Sequence, residues 1–357
     1  MRTYLLDLIS FLLICGTGLS LWRHDAWWVR AWDFPRAQIL AVGVLIITSY
    51  ILLGQPDAPP RYTLFFLLCL AMLIQTWQIL PYTPLHKKES LKSITQQPGQ
   101  GFSLLLANVY MENRDADRLI GLIRQKQPTI VFVAETDSWW IEHLAVLRQT
   151  YPHFIEKPLD NTYGMAVYSR LPWIEPTVRY LTEPDIPSFH GDIRFDSGQL
   201  VRVHLLHPKP PYPAESSTTE ERDAEILMVG REVAQHPAPT VVGGDLNDVA
   251  WSHTTRLFRR ISGLLDPRIG RGLYSTFHAK LPFLRWPLDH VFHSAHFKLL
   301  RLRQLPDIGS DHFPIFIELS LEPSNPVPVQ EPPAPKTGDF EEAHEKIDQV
   351  PPPNNSK

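Results

Sequence analysis

Three long apolar stretches within the first 83 residues restrict the possible folds of this chain more than any other feature. They cover residues 4–22, 37–54 and 62–80. Each is close to the roughly 20 residues that an α-helix needs to cross the hydrocarbon core of a bilayer. A signal peptide is a weaker interpretation of the first stretch, because no clear small-residue cleavage site follows it. Residues 1–83 are therefore predicted to be a membrane anchor of three transmembrane helices, with buried helices of a soluble protein as the alternative.

The residues that flank these stretches predict how the anchor is oriented. Tryptophans follow the first stretch and close the third, as in the aromatic belt of a bilayer interface. Arg and Lys are more frequent in the first loop and after the third stretch than on the opposite side, which has only Arg2 and Arg61. The positive-inside rule then places the rest of the chain in the cytoplasm.

Changes in composition divide the remainder of the chain. Residues 84–100 are polar and contain Gln-Gln-Pro-Gly-Gln, which predicts a linker. From residue 323 onward the chain is rich in Pro and Glu and has no core-forming run, so 323–357 is predicted to be a disordered, Pro-rich tail. The net charge of −4 does not indicate nucleic-acid binding by the whole chain, and the two cysteines imply no disulfide framework.

Residues 101–322 are predicted to form one α+β domain. Apolar runs typical of strands occur at 102–110, 129–135, 163–172, 192–195 and 200–206, and further strands begin at 240, at 289 and after 312. Helical periodicity occurs at 115–127, 139–149, 220–235 and 254–260. Polar side chains stand at the ends of several of the strands.

The most informative strand end is Thr240-Val-Val-Gly-Gly-Asp245-Leu-Asn247-Asp. Side chains two residues apart lie on one side of an extended backbone, so Asp245 and Asn247 can hold a water molecule and a phosphate oxygen together. A strand followed by an Asp/Asn turn is the simpler interpretation. This simpler interpretation is less well supported because four further polar clusters lie at the ends of apolar runs. They are Glu135, His207, Asp289-His290 and Ser310-Asp311-His312.

Hydrolysis of a phosphate ester needs groups of these types. A divalent ion neutralises the phosphate oxygens and lowers the pKa of the attacking water, a base aims that water, and donors stabilise the developing charge. Magnesium takes oxygen ligands, which Glu135 and Asp311 can supply together with the amide oxygen of Asn108 or Asn247. No His-x3-His or Cys pair occurs, so zinc has little support.

The two Asp-His pairs predict one long-range contact. Adjacent side chains on a strand point to opposite faces, so His312 needs a partner from elsewhere than Asp311. Asp289 is the natural candidate, and a carboxylate in this position fixes the tautomer of an imidazole and raises its basicity.

Taken in order, these residues resemble the endonuclease/exonuclease/phosphatase superfamily, and in particular its membrane-anchored bacterial members. The resemblance covers residues 101–322 and implies the DNase I-like fold, a four-layer α/β/β/α sandwich, preceded here by three transmembrane helices of a multi-pass protein of the bacterial inner membrane. His290 departs from the pattern, because many members have an aromatic residue there. The matching positions are Asn108, Glu135, Gly164, His207, Asp245, Asn247, Asp289, Ser310, Asp311 and His312.

The resemblance also implies the metal ligands. Glu135 corresponds to the main ligand of a Mg²⁺ or Mn²⁺ ion, with Asn108 and Asp311 beside it.

The other matching residues correspond to the catalytic groups of the superfamily. Asp245 would aim or deprotonate the attacking water, and Asn247 would hold that water and a phosphate oxygen. His207 would donate to the phosphate or the leaving group. His312, oriented by Asp289, would contact the scissile phosphate.

The substrate is open between three interpretations. Ten Lys or Arg residues stand against two acids in 256–303, and such a segment can follow a nucleic-acid backbone, which favours a nuclease-like phosphoesterase. A solvated basic face is the simpler explanation, and Arg271 and Arg285 can instead bind one small phosphate.

A phospholipid or phosphoinositide head group is the alternative substrate, because a bilayer anchor holds the site near lipid. The third interpretation is an inactive membrane-tethered adaptor, and no obligate protein partner is evident.

Overall fold

The computed structural model describes residues 2–53, 58–93, 100–212, 214–322 and 330–353. Parts of the predicted linker (94–99) and tail (323–329 and 354–357) lie outside these residues. The α-helices are α1 (Arg2–Leu21), α2 (Trp27–Arg30), α3 (Arg36–Leu52), α4 (Pro59–Ile79), α5 (Ala116–Lys126), α6 (Ser138–Leu144), α7 (Glu220–Gln235), α8 (His253–Ser262) and α9 (Asp339–Asp348). The strands are β1 (Gly101–Asn108), β2 (Ile130–Ala134), β3 (His153–Lys157), β4 (Met165–Ser169), β5 (Trp173–Tyr180), β6 (Pro187–Arg194), β7 (Leu200–Leu206), β8 (Thr240–Asp245), β9 (Asp289–His293), β10 (Phe297–Gln304) and β11 (Ile315–Leu321).

Two sheets packed face to face form the centre of the domain. One has the order β10-β11-β1-β2-β4-β3 and the other β5-β6-β7-β8-β9. Because side chains alternate along a strand, every second residue points into the space between the sheets. This shared core includes Phe102, Leu104 and Leu106 of β1 and Val201, Val203 and Leu205 of β7.

Helices cover the outer face of each sheet. α5 and α6 lie on the first sheet, where Leu119 and Trp140 pack with Ala107. α7 and α8 lie on the second sheet, where Phe258 packs with Val242. The layers run helix, sheet, sheet, helix, so the predicted α+β sandwich is confirmed.

The topology brings the polar strand ends to one place. Each sheet contains one parallel pair, β1 with β2 and β7 with β8, among antiparallel neighbours. The carboxyl ends of these pairs lead into Asn108, Glu135, His207 and Asp245. At the same end, Asp289 is paired with Asp245 as β9 begins.

The N-terminal helices match the prediction of three membrane spans only in part. Residues Tyr4–Leu21 and Pro59–Tyr82 are long and apolar enough to cross a bilayer. α2 and α3 count as a third span only if this pair, bent by 66°, is a single span. α4 packs against both α1 and α3. At the end away from the domain, Asp7 accepts hydrogen bonds from Tyr50 at 2.8 Å and Arg61 at 3.2 Å, which explains an acid in an apolar stretch.

The described part of the predicted linker is not free. Ser90 is buried, and Leu299 of the edge strand β10 exchanges backbone hydrogen bonds with Leu91 and Ser93 at 2.8 and 2.9 Å. An edge strand has unpaired N–H and C=O groups, and residues 91–93 satisfy some of them. The segment therefore extends the first sheet.

The prediction of a disordered tail is wrong for the region that contains α9. Ala343 and Ile347, four residues apart on one face, are buried with the core residues of α7 and α8. Arg260 of α8 donates to both carboxylate oxygens of Asp339 at 2.7 and 2.9 Å. Lys346 Nζ contacts Asp25 of the first loop at 2.7 Å. This short amphipathic pattern was obscured by the Pro-rich sequence on both sides.

Candidate active site

Asn108, the last residue of β1, joins carboxylates that come from both sheets. Its Nδ2 donates to Glu135 Oε1 at 2.7 Å and to Asp245 Oδ2 at 3.0 Å. Its Oδ1 accepts the N–H of Tyr110 at 2.9 Å, which fixes the orientation of the amide. The carboxylates of Glu135 and Asp245 therefore face the same point, as the sequence predicted.

Glu135 has the character of a cation ligand. Its Oε2 accepts the N–H of Met111 at 3.1 Å. Burial raises the pKa of this carboxyl to about 7, although the hydrogen bond from Asn108 and the positive charge of His312 act in the opposite direction. No salt bridge joins it to a Lys or Arg among the described residues. A buried carboxylate of this kind becomes favourable when a cation lies beside it.

His312 lies between two carboxylates. Its Nδ1 is 2.7 Å from Asp289 Oδ2, and its Nε2 is 3.5 Å from Asp245 Oδ2. Burial alone lowers the pKa of an imidazole, but the charges of Asp289 and Asp245 outweigh burial and raise the pKa of His312 to about 10. The imidazole is therefore a cation at neutral pH with a proton on each nitrogen. The predicted contact between Asp289 and His312 is confirmed.

His207 and Asn247 stand on the other side of Asp245. His207 Nε2 is 3.9 Å from Asp245 Oδ2, and its ring centre is 5.6 Å from that of Tyr163. Burial lowers the pKa of His207, so this imidazole is neutral where His312 is charged. The backbone N–H of Asn247 donates to Asp245 Oδ1 at 3.0 Å, and its Nδ2 donates to Pro208 O at 3.0 Å.

The backbone is strained at several of these positions. Tyr110, Glu135 and Asn247 have φ angles of 57°, 62° and 50°, in the left-handed region that side chains disfavour. Each such residue costs about 1–3 kcal/mol, and such residues cluster at functional sites. At Gly244, a Cβ atom would lie 1.9 Å from the carbonyl oxygen of Leu206, so only glycine fits before Asp245.

A sequence model of the endonuclease/exonuclease/phosphatase family matches residues 105–312. The chain belongs to this family. Members of the family act on phosphoester bonds and use divalent metal ions. A search among curated proteins gave no match.

Solved structures of the family share the fold at low sequence identity. The catalytic domain of human Nocturnin aligns with a TM-score of 0.51 and 16% identity, over 67% of this chain and 98% of that one. TDP2 of D. rerio, in complex with a single-strand DNA product, aligns with a TM-score of 0.50 and 18% identity, over 62% of this chain and 99% of that one. An endonuclease/exonuclease/phosphatase protein of Beutenbergia cavernae aligns with a TM-score of 0.50 and 18% identity, over 62% of this chain and 72% of that one. At these identities the similarity concerns the fold alone.

The divalent ion that the family uses fits the oxygen-rich side of this site. Asp245, Asp289 and His312 form a group of ligand-type side chains whose atoms lie within 4.8 Å of one another. A protonated imidazole does not ligate a metal, however, because ligation requires its free lone pair. Glu135 and the adjacent Asp311 offer carboxylates without this conflict. Asn108 currently presents its nitrogen to Glu135, and its role as an oxygen ligand stays a prediction.

Two further side chains support the site, although the sequence assigned no role to either. Ser310 Oγ donates to Asn108 O at 2.8 Å and accepts the N–H of His312 at 3.0 Å, so it ties the last loop to β1. The ring of Phe277 lies 4.9 Å from that of His312. The polar motif that contains Ser310 was a usable signal for it, whereas no pattern pointed to Phe277.

The structure separates the two arginines predicted to bind phosphate. Arg285 donates to Ala279 O at 2.8 Å, and Ala279 in turn donates its N–H to Asp311 O at 2.6 Å, so Arg285 lies beside the site. Arg271 donates instead to Pro267 O at 3.0 Å and to the carbonyl oxygen of Ser90. Arg271 is therefore directed toward the segment that follows the apolar N-terminal helices.

His290, the departure from the family pattern, is bonded on both ring nitrogens. Its Nδ1 accepts from Arg268 Nη2 at 2.7 Å, since an arginine only donates, and its Nε2 donates to Asp248 O at 2.8 Å. Burial and the charge of Arg268 lower the pKa of His290 to about 3. This neutral imidazole fixes the turn that follows Asp245.

Proposed function

We propose that this chain is a metal-dependent phosphoesterase that hydrolyses phosphodiester or phosphomonoester bonds. The observation that carries the proposal is the convergence of Glu135, Asp245 and His312, which come from separate strand ends, around the amide of Asn108. An inactive adaptor would have no need of a buried charge network of this kind. The adaptor interpretation therefore ranks last.

Glu135 and Asp311 would hold a Mg²⁺ or Mn²⁺ ion, with Asn108 beside them. When bound, such an ion neutralises phosphate oxygens and lowers the pKa of a water molecule. The raised pKa of Glu135 supports the assignment, because it reflects a buried carboxyl whose charge is only partly compensated by Asn108, His312 and the N–H of Met111.

The remaining groups would handle protons and orient the substrate. Asp245 would accept a hydrogen bond from the attacking water, and burial raises the pKa of this carboxyl, which increases its basicity. The cationic His312 would donate through Nε2 to a phosphate oxygen. His207, which is neutral, would donate to the phosphate or the leaving group, and Asn247 would hold the water together with Asp245.

A nuclease-like activity has less support than the basic segment implied. Five of its ten cations form ion pairs with carboxylates, namely Arg259, Arg260, Arg268, Lys298 and Arg301. Arg256 and Arg271 are bonded to Gln78 and Ser90, near the membrane helices. Nucleic acid stays the second candidate substrate, and TDP2 with its bound DNA product is a relative in its favour.

An apolar loop at the mouth of the site favours a phospholipid head group as substrate. Residues 281–284 expose Leu281, Phe283 and Leu284, with Phe283 85% exposed. Ala279 at the base of this loop bonds Asp311, so the loop borders the site. Gln38 in the first turn of α3 donates to Phe283 O at 3.0 Å, so the loop also lies against the membrane anchor. Exposed apolar loops beside a membrane helix are typical of lipid contact.

The proposed location is the bacterial inner membrane, with the catalytic domain in the cytoplasm. The end of α1, the start of α3 and the end of α4 all adjoin the domain. Trp251 Nε1 donates to Asp33 O at 2.6 Å, and Tyr82 OH donates to Ala250 O at 2.5 Å. These contacts support the proposal that the first loop and the domain share one side of the membrane, which the count of Lys and Arg predicts to be the cytoplasmic side.

A substrate panel tests the proposal. The full chain in lipid nanodiscs with Mg²⁺ is given bis-p-nitrophenyl phosphate, phosphoinositides, sphingomyelin, plasmid DNA and single-stranded DNA. We expect metal-dependent hydrolysis of the generic ester and of a lipid, with less activity on DNA. Hydrolysis of none of these would contradict the enzymatic proposal, and hydrolysis of DNA but no lipid would contradict the lipid substrate.

A further inference from the structure

A cavity apart from the candidate active site lies where the N-terminal helices join the domain. It has a volume of about 360 Å³ and is bounded by the last turn of α4, residues 81–91, α8 and residues 330–331. This volume lies within the range of small-ligand sites, about 300–1,000 Å³. None of the active-site residues lines it.

The lining of this junction cavity carries an excess of positive charge. Lys87, Lys88, Arg256 and Arg259 stand against two acids at positions 89 and 331. Glu89 is bonded to Arg259, which leaves the other three cations without a salt bridge to a carboxylate among the described residues. Arg256 is mostly buried and donates to the side-chain oxygen of Gln78, a neutral acceptor that leaves its charge unbalanced. A buried cation is more favourable when an anion lies beside it. The cavity therefore suits an anionic ligand.

The position of the cavity indicates what bears that anion. Phe66, Leu70, Leu73 and Trp77 follow one another at spacings of four, three and four residues, so they form one stripe along α4. These side chains are between 43% and 76% exposed, and the stripe ends at the cavity, where Trp77 is part of the lining. A ligand with an acidic head and apolar tails matches a basic cavity at the end of an apolar stripe.

We propose that the junction cavity binds the phosphate head group of an anionic phospholipid, with its acyl chains along the stripe of α4. The site holds the catalytic domain against anionic membrane and is separate from the hydrolytic site. This proposal rests on the membrane placement of α4 and not on the proposed enzymatic activity. The lipid-binding proposal and the phosphoesterase proposal can therefore fail independently.

Native mass spectrometry of the full chain in detergent tests this site. The protein is mixed with equal amounts of phosphatidylglycerol and phosphatidylcholine, and retained lipid is counted. We expect preferential retention of phosphatidylglycerol, and a loss of roughly tenfold in that preference for the double variant Lys87→Gln/Lys88→Gln. The matched control is Arg124→Gln/Lys157→Gln, which removes two exposed cations elsewhere on the domain and should retain the lipid.

A second variant guards against misinterpretation. Arg256→Gln should also lower the retention of phosphatidylglycerol. A melting temperature close to that of the unaltered protein shows that this variant folds. Equal retention of the two lipids, or an unchanged preference in Lys87→Gln/Lys88→Gln, would overturn the proposal. Complete displacement of phosphatidylglycerol by millimolar inorganic phosphate would overturn the lipid as the source of the anion.

Discussion

His312 Nδ1 donates to Asp289 Oδ2 at 2.7 Å, and this bond joins the loop before β11 of one sheet to the start of β9 in the other. The pair makes the candidate active site a property of the packed sandwich, since neither sheet contains both groups. It also sets the charge of His312, because Asp289 is the largest of the charges that raise the pKa of this imidazole to about 10.

The pH dependence of activity follows from this pair. If the cationic form of His312 is the active one, its proton is present below about pH 10 and is lost above it. Asp289→Asn removes the largest of the charges that raise the pKa of His312, so this pKa falls and the alkaline limb of the rate profile moves to lower pH. The measurement is kcat against pH with a soluble ester. An alkaline limb that stays in place in Asp289→Asn would refute the assignment.

Loss of Asp245 or of His312, the two groups proposed to act on the water and the phosphate, should lower the rate of hydrolysis severely. We expect Asp245→Ala and His312→Ala each to lower the rate by at least roughly a hundredfold, in line with the loss of acid–base or charge-stabilising groups. Glu225→Gln is the matched control, because Glu225 is also a buried acid but lies in α7 away from the site. Near-normal turnover in Asp245→Ala or His312→Ala would remove that residue from the mechanism.

Binding of the metal can be followed without turnover. Mn²⁺ should raise the melting temperature of the full chain, because a ligand that binds only the folded state stabilises it. Glu135→Gln should abolish this increase. Since the pKa of Glu135 is raised to about 7, binding in the unaltered protein should weaken as the pH falls below 7. A Mn²⁺-induced increase of equal size in Glu135→Gln would argue for other ligands, such as Asp245 and Asp289.

The apolar loop should matter for lipid and not for soluble substrates. Phe283→Ser/Leu284→Ser removes its exposed side chains without touching a group of the site. We expect hydrolysis of phospholipid in vesicles to fall roughly tenfold or more, because each buried apolar side chain contributes about 1.5–3 kcal/mol. Hydrolysis of bis-p-nitrophenyl phosphate should be unchanged. Leu200→Ser, at another exposed leucine, is the control, and equal lipid hydrolysis by both variants would exclude the role of the loop.

Stability should also depend on pH through Glu225. Burial raises the pKa of this carboxyl to about 8 from the ordinary 4.5, and the hydrogen bond from Thr182 at 3.4 Å only partly opposes it. Between these pH values the folded state keeps the proton that the unfolded state loses. The contribution of Glu225 to the free energy of unfolding is therefore complete below pH 4.5 and is lost as the pH rises through 8. The free energy of unfolding should fall by about 1.4 kcal/mol per pH unit in this window. Thermal melts of Glu225→Gln should lack this part of the slope.

The sequence predicted best those features that depend on local pattern and on parallel strand ends. Asn108, Glu135, His207 and Asp245 were recognised because each follows an apolar run, and parallel pairing then brings such ends together. The edge strands β3, β5 and β10 were missed, because their mixed polar and apolar residues do not form an uninterrupted run. The roles of the individual site residues stay predictions.

The basic segment shows why surface chemistry was harder to predict. Arg259 pairs with Glu89, Arg260 with Asp339 and Lys298 with Glu322. The first two partners lie far away in the sequence, in regions predicted to be a linker and a disordered tail. A count of charges along the chain does not reveal such pairs, and so it overstated the free positive surface.

The bonds from Trp251 to Asp33 and from Tyr82 to Ala250 hold the domain firmly against the N-terminal helices. If these helices span a bilayer, as proposed, the domain cannot swing away from the membrane surface on a tether. A lipid substrate would then reach the site by two-dimensional diffusion within the leaflet, so turnover should follow the mole fraction of that lipid in the surface and not the total amount of lipid in the suspension.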